Sequence, residues 1–203
     1  SHAARRRDGA RVGVDACAGH EGGAVRVRAI AASAALVVAG LLAVLALVDA
    51  PGEVTGESPL LGAPAPAVES TTLDDASFSL ERRKGSWVVL NFFNSTCVPC
   101  IAEHPALVAF AAREAAMPDG AELYTIVNDD ADDAVREFFD RRGGAWPKVR
   151  DDDGAIAVAF GVARVPETWV IDPEGFVRLR VLGELALGAL ESRLDALRAA
   201  RSS

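Results

Sequence analysis

Cys97 and Cys100 stand three residues apart in Thr96-Cys97-Val98-Pro99-Cys100, just after the apolar run Trp87-Val88-Val89-Leu90-Asn91-Phe92-Phe93. Two thiols at that spacing can close a disulfide and reopen it by exchange through a mixed disulfide with another molecule. A sulfur attacks only as thiolate, so the attacking cysteine needs an environment that favours negative charge while leaving it accessible. Cys97 meets that need if it caps a helix, where unpaired backbone N–H groups and the positive end of the helix dipole converge. Pro99 supports the placement, because proline in the first helical turn forfeits a donor that had no partner. Cys100, one turn further in, is then the shielded sulfur that expels a bound partner. Glu103 follows Cys100 by three residues, on the same helix surface. It has two readings: a partly buried carboxylate of raised pKa that relays the proton of Cys100, or a solvated helix charge.

Other uses of the pair fit less well. Covalent haem attachment requires His directly after the second cysteine, and residue 101 is Ile. Zinc requires four ligands, whereas Cys97, Cys100 and His104 make three. A purely structural disulfide over so short a loop constrains little chain entropy. In a different class, a Cu(I) carrier could use the two soft thiolates with His104; the remaining histidines, His2 and His20, lie in the N-terminal tail. Asp151-Asp152-Asp153-Gly154 lacks the alternating spacing and terminal Glu of a calcium loop, so no metal site is expected. The loop that positions peroxide in thiol peroxidases is not recognisable, and no cofactor is implied.

The elements that must hold these residues follow from apolar patterning. Trp87 to Phe93 reads as a buried strand, followed by a helix from the cysteines to Ala116. Glu122 to Asn128 is a second buried strand, and Asp132 to Arg142 a second helix ended by Gly143-Gly144. This β-α-β-α order predicts parallel pairing. Asp151 to Gly154 reads as a turn, Ala155 to Phe160 as a short helix and Glu167 to Ile171 as a third strand. Asp172-Pro173-Glu174-Gly175 then turns into Phe176 to Leu182, and Leu185 to Arg201 is an amphipathic helix. Leu73 to Leu80 looks like a short hairpin. Apolar spacing through Leu107, Val108 and Phe110 carries the first helix past Pro105, which predicts a kink there.

The chain has 203 residues, half of them hydrophobic, enough for one domain plus appendages. Ala29 to Val48 is a twenty-residue stretch without charge, about the length that crosses a bilayer at ~1.5 Å per residue. It predicts a single transmembrane helix, with a cleaved signal ending near Ala50 as the competing reading. Arg5, Arg6, Arg7, Arg11, Arg26 and Arg28 precede the span and no Lys or Arg follows until Arg82, which puts residues 1–28 in the cytoplasm as a disordered tail. Cys17 stays in that tail, apart from the pair. Residues 49–67, rich in Pro and Gly, read as a linker, and 68–203 as the folded domain. The net charge of −8 hides a basic tail, so the outer domain is more acidic than the whole and offers no case for nucleic-acid binding.

Two stretches carry a family resemblance: Leu90-Asn91-Phe92-Phe93-Asn94-Ser95-Thr96-Cys97-Val98-Pro99-Cys100-Ile101-Ala102-Glu103-His104-Pro105, and Gly161-Val162-Ala163-Arg164-Val165-Pro166-Glu167-Thr168-Trp169-Val170-Ile171-Asp172. In this order they resemble the TlpA/ResA/CcmG group of membrane-anchored thioredoxin-like reductases, over roughly residues 62 to 200. The resemblance implies an α/β thioredoxin-like fold, with a central mixed β-sheet flanked by helices. It implies that Pro166 is a cis-proline facing the Cys97–Cys100 disulfide and that Val165 offers backbone to an extended substrate. Glu103 matches the acidic residue this family carries after its second cysteine, and Glu167 resembles the Pro-Glu-Thr of the cytochrome-c-maturation branch. Asn91 stands where cytoplasmic thioredoxins hold a buried Asp. Thr96 departs from the Trp usual before the first cysteine. The implied partners are a disulfide-bearing protein such as an apocytochrome c and a membrane thiol-electron donor, and the implied setting is a single-pass membrane protein with its catalytic domain extracytoplasmic. Oxidation rather than reduction of substrates is the alternative direction.

Overall fold

Six consecutive buried side chains make Val88–Phe93 (β4) a central strand, covered on both faces. The structure, a computed structural model, describes residues 37–38 and 54–202. The chain divides into two units, Ser1–Ala50 and Pro51–Ser203. In the first, Val37 and Val38 are helical and exposed, and the rest of the apolar span predicted at 29–48 lies outside the described residues, as does the tail at 1–28. Among the described residues no helix is long and apolar enough to cross a membrane.

The second unit runs β1 (Val54–Thr55), β2 (Glu69–Thr71), β3 (Ser77–Ser79), β4, α1 (Val98–Ala115), β5 (Glu122–Asn128), α2 (Asp132–Arg142), β6 (Lys148–Asp151), α3 (Ala155–Phe160), β7 (Glu167–Ile171), β8 (Val177–Leu182) and α4 (Ala189–Ser202), with a 3-10 turn at Glu81–Arg83. Six strands form one sheet in the order β1-β8-β7-β4-β5-β6, and β2-β3 is a separate hairpin. β4, β5 and β6 pair in parallel, while β7 is antiparallel to both β4 and β8. The sheet is therefore mixed, as expected.

Alternation along the strands divides the core between the two faces. Val89, Phe93, Leu123, Val127 and Val170 pack with Leu107 and Phe110 of α1, Phe138 and Phe139 of α2, and Leu190 and Leu194 of α4. Val88, Leu90, Phe92, Ile126 and Trp169 pack on the other face with Phe160 of α3 and Phe78 of the hairpin strand β3. α2 places Asp132 and Asp133 in its first turn and Arg141 and Arg142 in its last, matching the helix dipole, and ends where Gly143 takes φ 79°, a conformation that favours glycine.

Three expectations are corrected. Residues 49–67 do not read as a linker once Val54 is reached: Val54 and Thr55 pair with Leu182 and Val181, and the Gly62 N–H and Ala63 carbonyl bond Val177. Leu60, Leu61 and Ala65 pack on the core, so the folded unit begins well before residue 68. Pro and Gly in this stretch shape a path over the sheet edge. The hairpin expected within Leu73–Leu80 is instead built from Glu69–Thr71 and Ser77–Ser79, with the turn between them. Asp151, expected in a turn, closes strand β6, and its carboxylate accepts the N–H groups of Ile156 (2.8 Å) and Ala157 (2.9 Å) at the start of α3. A four-residue strand with only alternate residues buried leaves little apolar signal, and β6 was missed for that reason.

Candidate active site

The cysteines sit where β4 hands over to α1. Cys97 is the helix N-cap with extended backbone, and its Sγ accepts the N–H of Cys100 at 3.2 Å. Pro99 lies in the first turn, and the helix continues through Pro105, which cannot bond the carbonyl one turn back. The pair is closed as a disulfide with Cα atoms 5.2 Å apart. Cys97 is half-buried beside exposed Val98 and Pro99, whereas Cys100 is fully buried in the core. This asymmetry, with an N–H aimed at Cys97, is the arrangement that an attacking and a resolving sulfur require.

The loop before Cys97 is fixed from the side. Asn94 donates through Nδ2 to the carbonyls of Asn128 (3.1 Å) and Asp129 (2.7 Å), and its Oδ1 accepts from the N–H (2.9 Å) and Oγ1 (2.6 Å) of Thr96. The Ser95 N–H donates to Asp130 Oδ2 at 2.5 Å. Asp129 holds a left-handed φ of 47° at this join. Thr96 thus contributes a hydrogen-bonded hydroxyl where the resembling family has a ring. An Asn ending a strand is the one sequence signal that could have pointed to this brace.

Val165–Pro166 is a cis peptide bond, as expected, and the Val165 carbonyl oxygen lies 3.7 Å from Cys97 Sγ, in place to accept its S–H in the dithiol form. Glu103 is wholly buried. Its Oε1 accepts from Asn91 Nδ2 at 2.8 Å and its Oε2 from the Leu185 N–H at 3.0 Å, so the solvated-charge reading is overturned. Asn91 also donates to Thr168 Oγ1 at 3.0 Å, its registered neighbour on β7. Thr168 and Leu185 were not anticipated. Thr168 is legible as a hydroxyl in a fully buried strand, but a backbone donor such as Leu185 leaves no trace in sequence.

Glu167 does not join this group. It is buried, and its carboxylate takes a two-pronged ion pair from Arg180, Nε to Oε1 at 2.7 Å and Nη2 to Oε2 at 3.2 Å. Strand alternation turns it to the face opposite Thr168, so a substrate contact through its carboxylate is not available. Arg180 also lies over the Trp169 ring, 5.0 Å from its centroid, which makes this an internal structural pair. His104, the third ligand of the copper reading, is buried among Phe138, Phe139 and Trp146 with Nε2 3.1 Å from the Gly143 carbonyl. Burial pushes its pKa down, against hydrogen bonds to the Gly143 and Arg142 backbone that raise it, and the charges of Arg142 and Lys148 add to the lowering. Among the described residues it forms no metal-ligating cluster with the cysteines.

Comparison with known proteins agrees with this geometry. Residues 61–180 match the AhpC/TSA family. The chain is 32% identical over 141 residues to the thiol:disulfide interchange protein HelX of Rhodobacter capsulatus, covering 68% of this chain and 77% of HelX. It is 30% identical over 134 residues to the thiol-disulfide oxidoreductase ResA of Bacillus thuringiensis, covering 66% of this chain and 76% of that protein. The thioredoxin domain of a thiol-disulfide oxidoreductase from Bacteroides vulgatus superposes with a TM-score of 0.60 at 23% identity, over 69% of this chain and 99% of that one, and supports the fold. A half-exposed sulfur at a helix start, a buried second sulfur and a cis-proline opposite them, in a sequence related to HelX and ResA, mark this chain as a member of the AhpC/TSA family and a thioredoxin-fold thiol-disulfide oxidoreductase.

Proposed function

We propose that the protein works outside the cytoplasm, tethered by residues 29–48, and reduces protein disulfides, with apocytochromes c among its substrates and a membrane thiol carrier as its electron donor. The observation that carries the chemistry is the unequal burial of the two sulfurs, with the buried carboxyl of Glu103 one turn beyond Cys100. The Cys97 thiolate attacks one sulfur of the substrate disulfide; that S–S bond breaks, and the leaving sulfur departs as thiolate and takes a proton. Cys100 then gives its proton to the Glu103 carboxylate and attacks Cys97. The second substrate sulfur leaves reduced, and the protein is left as the disulfide. Two electrons from the donor dithiol restore it.

The tether and the outward orientation rest on the twenty uncharged residues and the arginines that precede them. The reducing direction and the cytochrome substrate rest on the family resemblance, in which the Pro166-Glu167-Thr168 sequence takes part. Trapping with Cys100→Ser in intact cells tests the reading: a mixed disulfide through Cys97 with an apocytochrome c is the expected product. The reduction potential tests the direction. A value near about −270 mV agrees with a reductant, and one near about −120 mV would make the protein an oxidant and end the reductase reading.

A further inference from the structure

A polar row crosses three central strands of the sheet on the face that packs against α1. Thr168 on β7, Asn91 on β4 and Thr125 on β5 are in register on three adjacent strands, and all three are fully buried. Thr125 accepts from Trp146 Nε1 at 2.8 Å. Asn91, at the centre, donates both its amide hydrogens, one to Glu103 Oε1 and one to Thr168 Oγ1. Its Oδ1 is buried and bonds nothing among the described residues.

Buried carboxamides ordinarily satisfy both ends, and an amide bonded at both ends is locked in one orientation. Here one end is tied and the other is not. The orientation is therefore set by what Glu103 and Thr168 offer. A Glu103 carboxylate offers acceptors, and Nδ2 faces it. A protonated Glu103 offers a donor, which Nδ2 cannot meet but Oδ1 can. Thr168 is no obstacle, since a hydroxyl gives a hydrogen bond as readily as it takes one.

We propose that Asn91 is a positioning residue that follows the proton on Glu103: its Nδ2 holds the carboxylate, and when the carboxyl takes the proton of Cys100 the amide turns end for end so that Oδ1 accepts the new O–H. The step balances within the site. The Cys100 S–H bond breaks, the Glu103 O–H bond forms, and the charge moves from carboxylate to thiolate. Asn91 keeps a hydrogen bond to Glu103 on both sides of the transfer, while the Leu185 N–H fixes the second oxygen. An Asp at this position could not serve the carboxylate form without taking up a proton itself. Other titratable groups stand apart or belong to the same reaction: α1 contributes Cys97 and Cys100, and also His104, whose ring lies against Phe138 and Phe139 of α2; Glu184 in the β8–α4 loop is exposed, and Glu167 of β7 lies on the opposite face with Arg180. The inference deepens the proposed function and rests on its assignment of Glu103 as proton acceptor.

The test combines the pH dependence of mixed-disulfide resolution with side-chain amide NMR on the full chain. For Asn91→Ala, resolution at neutral pH should slow by about tenfold or more, the effect of removing a hydrogen bond to a charged group. Asn91→Asp should shift the profile to higher pH, because two adjacent carboxyls share one proton. In the unmutated protein, which removes any question of misfolding, the Asn91 Nδ2 resonances should move with the Glu103 carboxyl signal across one titration and stay fixed in Glu103→Gln. If Glu103→Gln alters the profile while Asn91→Ala does not, or if the Asn91 resonances do not follow Glu103, the proposal is wrong and the role of Glu103 stands. If Glu103→Gln leaves the profile unchanged, the proton-acceptor reading fails first and the proposal falls with it.

Discussion

At the scale of single residues, the chemistry depends on two sulfurs of the same type in unequal surroundings. Cys97 accepts an N–H from Cys100 at 3.2 Å and remains half-exposed, while Cys100 is fully buried. In the reduced folded protein iodoacetamide should therefore modify Cys97 and leave Cys100 intact, which peptide mass spectrometry reads directly; alkylation of Cys100 first would reverse the roles. Glu103→Gln keeps the shape of the side chain but cannot accept a proton, and resolution of a mixed disulfide at neutral pH should slow by about a hundredfold, the lower range of a positioned general base. Stopped-flow resolution of a preformed adduct measures it. The positions of the two cysteines and of the carboxyl after them were legible because a helix start imposes its own spacing. The burial that separates a relay from a surface charge was not, since it depends on Asn91, Thr168 and Leu185, which lie far from Glu103 in sequence or act through backbone.

Elements hold these residues through pairs that do no chemistry. Glu167 and Arg180 join β7 to β8, and breaking so buried a pair costs about 3–5 kcal/mol by leaving one charge uncompensated. Arg180→Met should lower the urea midpoint accordingly and leave the rate of attack by Cys97 near that of the parent; a large loss of rate without loss of stability would return Glu167 to the substrate site. His104 joins α1 to α2, and burial lowers its pKa. Its folded pKa lies below the ordinary 6.5, so the unfolded chain binds a proton that the folded one resists. The contribution of His104 is complete above pH 6.5 and is lost as pH falls from there toward its folded pKa. His104→Phe should flatten the part of the stability profile below pH 6.5 when urea midpoints are compared, and an unchanged slope would discount the histidine. The long central strands were readable from continuous apolar runs. β1 and β6 were not, because two and four residues at a sheet edge carry too little pattern.

For the molecule as a whole, the two edges of the sheet matter most. β8 is covered along its length by residues 54–63, through Val54 and Thr55 and then through Gly56, Gly62 and Ala63. β6 is covered by the hairpin region: the Leu73 N–H bonds the Lys148 carbonyl, Thr72 bridges Val149, and Ser70 Oγ bonds the Arg150 carbonyl. A domain cut to begin at Val68, where sequence patterning places its start, should fold less stably and self-associate through the bared edge of β8, while one beginning at Pro51 should stay monomeric. Sedimentation at matched concentrations distinguishes them, and equal behaviour of the two would make residues 54–67 dispensable. The closed edges also constrain how this protein handles its clients. A thiol-disulfide oxidoreductase meets chains that are partly unfolded and rich in unpaired backbone, the species most prone to add themselves to an open sheet. With β8 and β6 both covered, such a chain finds neither of these strands free to extend.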